Sequence, residues 1–328
     1  KHCLLVNYAI KHSTLMIFSV QWHKNHSSVQ GCEMKKKNVK IDPKRAKAIS
    51  TIKALLFSAS VIPSLLAGAI AYRLGSFHPT NYAIMFFGIV LGQLSGDYLY
   101  YYFTNYHTST KDTHTKLFAG WKPYFAETLI KGKQNLYAGL GILFVDLLIG
   151  LYFIFKAGLA LAIFVASGGL IVLLFTPLMF YGLKEVVVFL AFGPLAMTGM
   201  IFVLTGKFSW ETLIASIPVA LWVTAVAHLK SGKIKKIDER AGTVSLTVSR
   251  NIITALLLLS YVSLGLGVAF AYIPVWSLLA LLTLPLSINI VMDLGKPSNT
   301  IVSYLNSTIK TIFVLVCGGL LMSAGYLI

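Results

Sequence analysis

Two short polar stretches, each placed where an apolar segment ends, hold several of the few acidic residues in this chain. The first runs from Gly96 to Asp112 and contains Asp97, and the second runs from His228 to Gly242 and contains Asp238. Acidic residues are scarce, with 11 against 28 Lys and Arg in 328 residues. Polar side chains are costly in membranes and usually face a bundle interior or water. Carboxylates retained at two such edges therefore predict a functional polar site.

The composition identifies the segments that must position this site. A hydrophobic share of 56% with 12% charged residues excludes an ordinary soluble domain. Apolar runs of about 18 residues or more recur, and each is long enough to cross a bilayer. We predict an all-α, multipass membrane bundle of about nine transmembrane helices. The predicted spans are 54–72, 82–104, 136–155, 157–178, 186–205, 212–228, 253–273, 276–294 and 310–328.

The net charge of +17 is concentrated in three segments, 35–53, 111–133 and 230–250. A cytoplasmic N-terminus places all three on one side of the membrane, which is the positive-inside pattern. We therefore predict a multipass protein of the cytoplasmic (cell) membrane whose basic side contacts anionic lipid headgroups. Nucleic acid is not an expected partner.

The chain is predicted to have one membrane domain, 54–328, after a basic and largely disordered segment, 1–53. Met34, followed by three lysines, is a more natural start, so we expect residues 1–33 to be disordered or an artefact of the assigned start. The second and sixth predicted helices both lead into polar, Lys-rich loops on the basic side. This spacing indicates two duplicated four-helix units whose polar loops converge over a single cavity.

Three segments resemble UbiA-type membrane prenyltransferases, especially the menaquinone branch that acts on 1,4-dihydroxy-2-naphthoate. Residues 57–68 are similar to the opening helix of that family, and residues 181–194 are similar to its fifth-helix segment. Asp238-Glu239-Arg240-Ala241-Gly242, followed by Ser245-Leu246, resembles the end of its second aspartate motif. The resemblance covers 54–328 and implies that an allylic polyprenyl diphosphate alkylates an aromatic acceptor, a quinone precursor, inside the membrane.

The resemblance also implies a cofactor, Mg²⁺, held by carboxylates at the diphosphate. Its metal ligands here would be Asp97, Asp112 and Asp238. The family pattern is thinned, because Ile234 occupies an expected Asp position and Lys230-Ser231 replaces an Asn pair. No catalytic base is assigned. The candidate substrate-binding residues are Tyr102, Asn105 and Tyr181.

Basic side chains could compensate for the missing carboxylates by binding diphosphate oxygens directly. The candidates are Lys111, Lys233, Lys236 and Arg240, although the same charges could serve topology alone. Because helical spacing separates Asp238 from these cations, convergence requires 230–242 to be a loop or a broken helix. A second functional hypothesis is a catalytically degenerate relative that binds isoprenoid lipid or scaffolds quinone-biosynthesis enzymes.

Three further features of the sequence have a possible structural role, and two of them also have a possible functional role. The tyrosines at 98–106 could line a prenyl channel and stabilise cationic carbon, or form an interfacial aromatic belt. Asp146 lies within an apolar span, where it is either functional or part of a helix-packing hydrogen bond. Asp293 is expected to form an ion pair with Lys296 at a helix end.

Overall fold

The computed structural model describes residues 57–107, 126, 129–230, 234–238, 243–246, 250–295 and 301–328. Its architecture is helical, as predicted, apart from one short antiparallel hairpin of β1 (Ile234–Asp238) and β2 (Thr243–Leu246). The α-helices are α1 (Ser58–Arg73), α2 (Pro79–Tyr102), α3 (Gln134–Ala157), α4 (Leu161–Phe180), α5 (Lys184–Leu190), α6 (Ala196–Thr205), α7 (Trp210–Lys230), α8 (Arg250–Ala269), α9 (Leu284–Leu294) and α10 (Ile301–Leu327).

Helix α6 continues α5, and α9 continues a 3₁₀ segment, so neither α6 nor α9 forms a crossing by itself. A π-helical turn, Ala191–Leu195, joins α5 to α6, and a 3₁₀ segment, Val275–Thr283, leads directly into α9. Within the described residues, eight helical segments are long and apolar enough to cross a membrane. The described part of α1 adds a ninth helix of 16 residues. The predicted multipass membrane bundle is therefore confirmed, and the division of 1–53 from 54–328 stays a prediction.

The bundle is built around α1, α7 and α10. Fully buried side chains from these helices, including Leu66, Trp222 and Leu315, pack in one core. By contrast, few residues of the most apolar 18-residue stretch of each outer helix are buried, 17% in α3 and 11% in α4. A helix that is apolar on every side can face lipid without cost, so α3 and α4 form an outer wall.

Two π-helical turns interrupt this regular helical pattern. The turn at 191–195 contains Pro194, which has no backbone N–H and cannot continue the α-helical bonding. Beside it, Gly193 packs so closely on α7 that an added Cβ would clash with Cβ of Ala220. The second turn, Phe103–His107, extends the end of α2. Such single π-helical turns often occur at functional sites.

The segment after α7 is not helical in its described part. Helix α7 ends at Lys230, and Asp238 lies in β1, paired with Thr243 of β2. The helix is therefore broken between Lys230 and Asp238. Such a break is required if the basic residues are to converge with Asp238. The side chains of 231–249 lie outside the described part of the chain.

Asp293 forms an ion pair at a helix end, and its expected pairing with Lys296 stays a prediction. Asp293 pairs with Lys310 of α10, whose Nζ lies 2.6 Å from Oδ2. Helix α10 begins at Ile301, nine residues before the predicted span, and its Lys310 lies alongside the end of α9. Lys296, the expected partner, lies outside the described residues.

The orientation of the bundle gives a first testable prediction. We expect cysteines placed at Lys36 and Lys236, in a chain whose native cysteines are replaced by serine, to react with impermeant reagents from the cytoplasmic side only. The reason is the concentration of basic residues around both positions. Labelling of the two positions from opposite sides would contradict this topology. Cysteine at Lys207, between α6 and α7, is the control expected to label from the other face.

Candidate functional site

The bundle contains a partly open cavity of about 390 Å³, within the range of roughly 300–1,000 Å³ usual for small-molecule sites. Its walls come mainly from α2 to α7, and most of the lining side chains are apolar. The polar lining residues are concentrated towards one end, where α2 and α7 finish and α5 begins. The cavity therefore has an apolar body and a polar end, which suits an amphipathic ligand.

The polar end brings together described residues from both polar stretches. Asp97, Thr104 and Asn105 come from the end of α2, and Lys230 is the last residue of α7. Lys184, the first residue of α5, lines the same end. The predicted convergence of the two stretches on one cavity is confirmed for these residues.

Asp97 and Lys230 interact electrostatically across the polar end. Both side chains are partly buried, so their attraction is stronger than it would be in bulk water, and removing Lys230 would leave the charge of Asp97 without this partner. Lys184 adds a second cation, and its Nζ donates a hydrogen bond to the carbonyl oxygen of Ala227 at 2.7 Å. The described cavity end therefore carries two ammonium groups and one carboxylate.

A polar contact between helices holds the two lysines in place. Nδ1 of His228 lies 2.8 Å from a carboxylate oxygen of Glu185, which joins the start of α5 to the last turn of α7. Each residue is within two positions of a cavity lysine, Lys184 or Lys230. The pair therefore fixes the register between the two lysine-bearing helix ends.

Side-chain hydrogen bonds also define the end of α2. Thr104 Oγ1 donates to the carbonyl oxygen of Tyr100 at 2.6 Å, and Asn105 Nδ2 donates to that of Tyr101 at 2.8 Å. Polar side chains of this kind satisfy carbonyl groups released where regular helical bonding changes. The π-helical turn thereby positions Thr104 and Asn105 at the cavity.

Aromatic rings line the cavity beside its polar end. The ring of Tyr100 contacts that of Phe175 edge-to-face, with centroids 6.2 Å apart. Three more phenylalanines share the lining, Phe153, Phe164 and Phe192. Electron-rich ring faces attract cationic carbon, so this wall is suited to an allylic cation.

Of the described tyrosines at 98–105, Tyr100 alone lines the cavity. Tyr98 and Tyr101 are 2% and 5% exposed and pack with Ala126 in a separate small core. Most of this cluster is therefore neither a prenyl channel nor an exposed interfacial belt. Most aromatic rings that line the cavity are instead phenylalanines of α3, α4 and the turn after α5.

The structure separates the predicted site residues into three groups. Asp97 and Asn105 line the cavity. Tyr102 is buried off the cavity, and Tyr181 is 83% exposed at the end of α4, so neither predicted substrate-binding tyrosine contacts it. The remaining predicted residues lie outside the described residues or, for two of them, are described in backbone only: Lys111, Asp112, Lys233, Arg240, and in β1 Lys236 and Asp238.

Two cavity residues, Lys184 and Lys230, were not predicted as ligand-binding residues from the sequence. Lys230 begins one of the basic segments that predict topology, and Lys184 is a single basic residue between two predicted spans. The available signal was their position, because each marks a helix end on the side where the acidic residues lie. Lys230 also replaces one residue of the family's Asn pair.

The described side chains do not by themselves form a Mg²⁺ site. No group of three or more His, Cys, Asp or Glu residues with metal-binding geometry occurs in the described ranges. The carboxylate of Asp97 also faces an ammonium group that would compete with a metal ion. A Mg²⁺ site at this end would also need ligands from beyond the described side chains, such as the predicted Asp112 and Asp238.

Comparison with known proteins supports one family. The chain is 28% identical over 251 residues to a UbiA prenyltransferase domain-containing protein 1 homolog from Drosophila melanogaster. The match covers 70% of this chain and 66% of the relative, slightly less than two thirds of its length. No protein-family model matches the chain. This similarity supports the UbiA superfamily, at the level of a membrane prenyltransferase, and does not support the menaquinone branch in particular.

Proposed function

We propose that this protein is an integral-membrane prenyltransferase that transfers a polyprenyl chain from an allylic diphosphate to an aromatic acceptor. We further propose a naphthoate-type quinone precursor as the acceptor. The observation that carries the proposal is the shape and chemistry of the cavity. Its apolar, aromatic-walled body ends at Lys184 and Lys230, in a chain that is similar to a UbiA-domain protein.

The two ends of the donor match the two parts of the cavity. The diphosphate lies at the polar end, where ammonium groups bind phosphate oxygens. The prenyl chain lies along the apolar body, which excludes water and protects the allylic cation from hydrolysis. Tyr100 and Phe175 lie close enough to the polar end to stabilise positive charge at the reacting carbon.

The proposed reaction exchanges one bond for another. The bond between C1 of the prenyl chain and the diphosphate oxygen breaks, and the diphosphate leaves with the bonding electrons. A ring carbon of the acceptor attacks C1, so a new carbon–carbon bond forms. That ring carbon then loses its hydrogen as a proton to the released diphosphate, which restores aromaticity. Lys184 and Lys230 assist by stabilising negative charge on the leaving group.

The proposal includes a bound Mg²⁺, two of whose ligands would be residues with side chains outside the described part of the chain. When bound, the metal would supply Lewis-acid stabilisation of the diphosphate. Asp112 and Asp238 would have to provide carboxylate ligands beside Asp97 for this to occur.

The experiment is transfer by the purified full chain in lipid, with a labelled polyprenyl diphosphate and a dihydroxynaphthoate acceptor. We expect Mg²⁺-dependent product, and loss of about 100-fold or more on Asp112→Ala or Asp238→Ala, since each removes a charge-stabilising ligand. Full activity in both variants would contradict the metal site while leaving the transferase function intact. Tight binding of the donor with no transfer to any aromatic acceptor would contradict the proposed function and identify a non-catalytic isoprenoid-binding protein.

A further inference from the structure

A carboxylate deep in the membrane faces the cavity well away from its polar end. Asp146 lies near the middle of α3 and lines the cavity. Two glycines of α2 make room for it. A Cβ added at Gly88 would lie 3.2 Å from its Oδ1, and one added at Gly92 would lie 3.1 Å from its Oδ2. The carboxylate therefore occupies a recess that side chains on α2 would otherwise fill.

This carboxylate has no compensating group in the described part of the protein. No described residue donates a hydrogen bond to it, and no described charge stabilises it. An uncompensated carboxylate at this depth is costly. It is therefore poorly explained as a packing contact between helices, which would need a donor on the facing helix. A donor supplied by a ligand in the cavity would offset that cost.

The position of the carboxylate indicates which ligand supplies the donor. Gly92 and Gly88 precede Asp97 by five and nine residues on the same helix. At about 1.5 Å per residue, they lie about 8 and 14 Å from Asp97 along the axis. Asp146 is thus roughly 10 Å deeper than the proposed diphosphate position. A ring that reacts near the polar end can reach Asp146 with a substituent on its far side.

The chemistry selects a hydroxyl group on that ring. A prenyl chain is hydrocarbon and offers a carboxylate no hydrogen bond, whereas an aromatic hydroxyl is a strong donor to a charged acceptor. We infer that Asp146 forms an acceptor subsite, in which its carboxylate accepts a hydrogen bond from a hydroxyl of the aromatic substrate and orients the ring towards the prenyl donor. This inference rests on the proposed prenyl transfer and assigns its ring-binding residue.

The test compares a dihydroxynaphthoate acceptor with its methyl ethers, which lack the donor. We expect the parent to prefer the free hydroxyl about 10- to 100-fold in kcat/KM, the range for a hydrogen bond to a charged group. Asp146→Leu should reduce that preference to less than about threefold, while the Kd of a non-hydrolysable prenyl diphosphate analogue stays unchanged. If Asp146→Leu keeps the hydroxyl preference of the parent, the inference is overturned, whether or not the Kd of the donor analogue changes.

A second pair of variants tests the same site without removing the carboxylate. Gly92→Ala places a methyl group against Oδ2 of Asp146 and should also reduce the hydroxyl preference. Gly141→Ala, on the exposed side of α3 with open space around it, is the matched control and should retain the preference. Equal behaviour of the two alanine variants would contradict the recess as a binding element.

Equilibrium binding of the aromatic ligands tests the role of Asp146 independently of prenyl transfer, so failure of this inference can be distinguished from failure of the proposed function. If neither parent nor variants transfer a prenyl group, the transferase proposal fails. Binding of the dihydroxynaphthoate and its ethers, measured with the donor analogue present, still decides the role of Asp146. A hydroxyl preference that Asp146→Leu abolishes supports the subsite, and equal binding of all ring ligands in the parent overturns it.

Discussion

Replacing Lys230 by Met should weaken binding of a non-hydrolysable polyprenyl diphosphate analogue by about 10- to 100-fold, the range for hydrogen bonds to charged groups. The cause is loss of a partly buried ammonium group from the cavity end, where solvent screens its charge less than at the protein surface. Transfer should fall by at least the same factor, because the charge on the leaving diphosphate grows as the bond to carbon breaks. The measurement is equilibrium binding of the labelled analogue to protein in lipid, with EDTA present.

Two further variants make this result specific. Lys207→Met removes the same charge from an exposed position outside the cavity and should leave binding unchanged. Because Lys230→Met strands the charge of Asp97, the double variant Asp97→Asn/Lys230→Met removes both charges and tests binding in a neutral site. Binding by the double variant equal to that of Asp97→Asn alone would contradict the role of Lys230.

Asp97→Asn separates a lysine-held diphosphate from a metal-held one. With EDTA present, removing this negative charge should leave the affinity for the analogue unchanged or raise it, since Asp97 competes with the diphosphate for Lys230. Loss of affinity in EDTA would show that Asp97 supports the diphosphate by another route. Loss of the additional affinity conferred by Mg²⁺ would show that Asp97 is a metal ligand, as predicted from the sequence.

Filling the body of the cavity is expected to have the second large effect. Gly168 lines the cavity from α4, and open space surrounds its Cβ position. Gly168→Phe places a ring where the prenyl chain is proposed to lie, while a helix tolerates Phe better than Gly. We expect transfer from long donors to fall by at least about tenfold, because even one methylene in an apolar pocket changes specificity by 10-fold or more. Short donors should lose less.

The readout is the product distribution from a mixture of prenyl diphosphates of different length. Ala166→Phe introduces the same ring two residues earlier on the exposed side of α4 and is the matched control. An equal loss for long and short donors, or none for either, would contradict the assignment of the chain to the cavity body. A change in the hydroxyl preference of the acceptor would instead place the ring substrate at Gly168.

The sequence alone was sufficient for the class of fold and for the side of the bundle that carries the polar site. Bilayer thickness sets the length of a crossing segment, so apolar runs can be counted without knowing how they pack. The direction of each helix then follows from alternation, which places the ends of the second and sixth helices on one side. The position of Asp97 and Lys230 on one side of the bundle follows from that reasoning.

The tertiary structure decided which individual side chains form the site. Tyr100 and Tyr102 are two residues apart, about 200° around an ideal helix, and only the packing of α2 determines that Tyr100 faces the cavity. Lys184 resembles an ordinary topology-setting residue until α5 is placed beside α7. The site of Asp146 depends on α3 lying against glycines of α2. Hydrophobic periodicity cannot reveal such neighbours in helices that are apolar on every side, because the rotation of each helix is set by its packing partners.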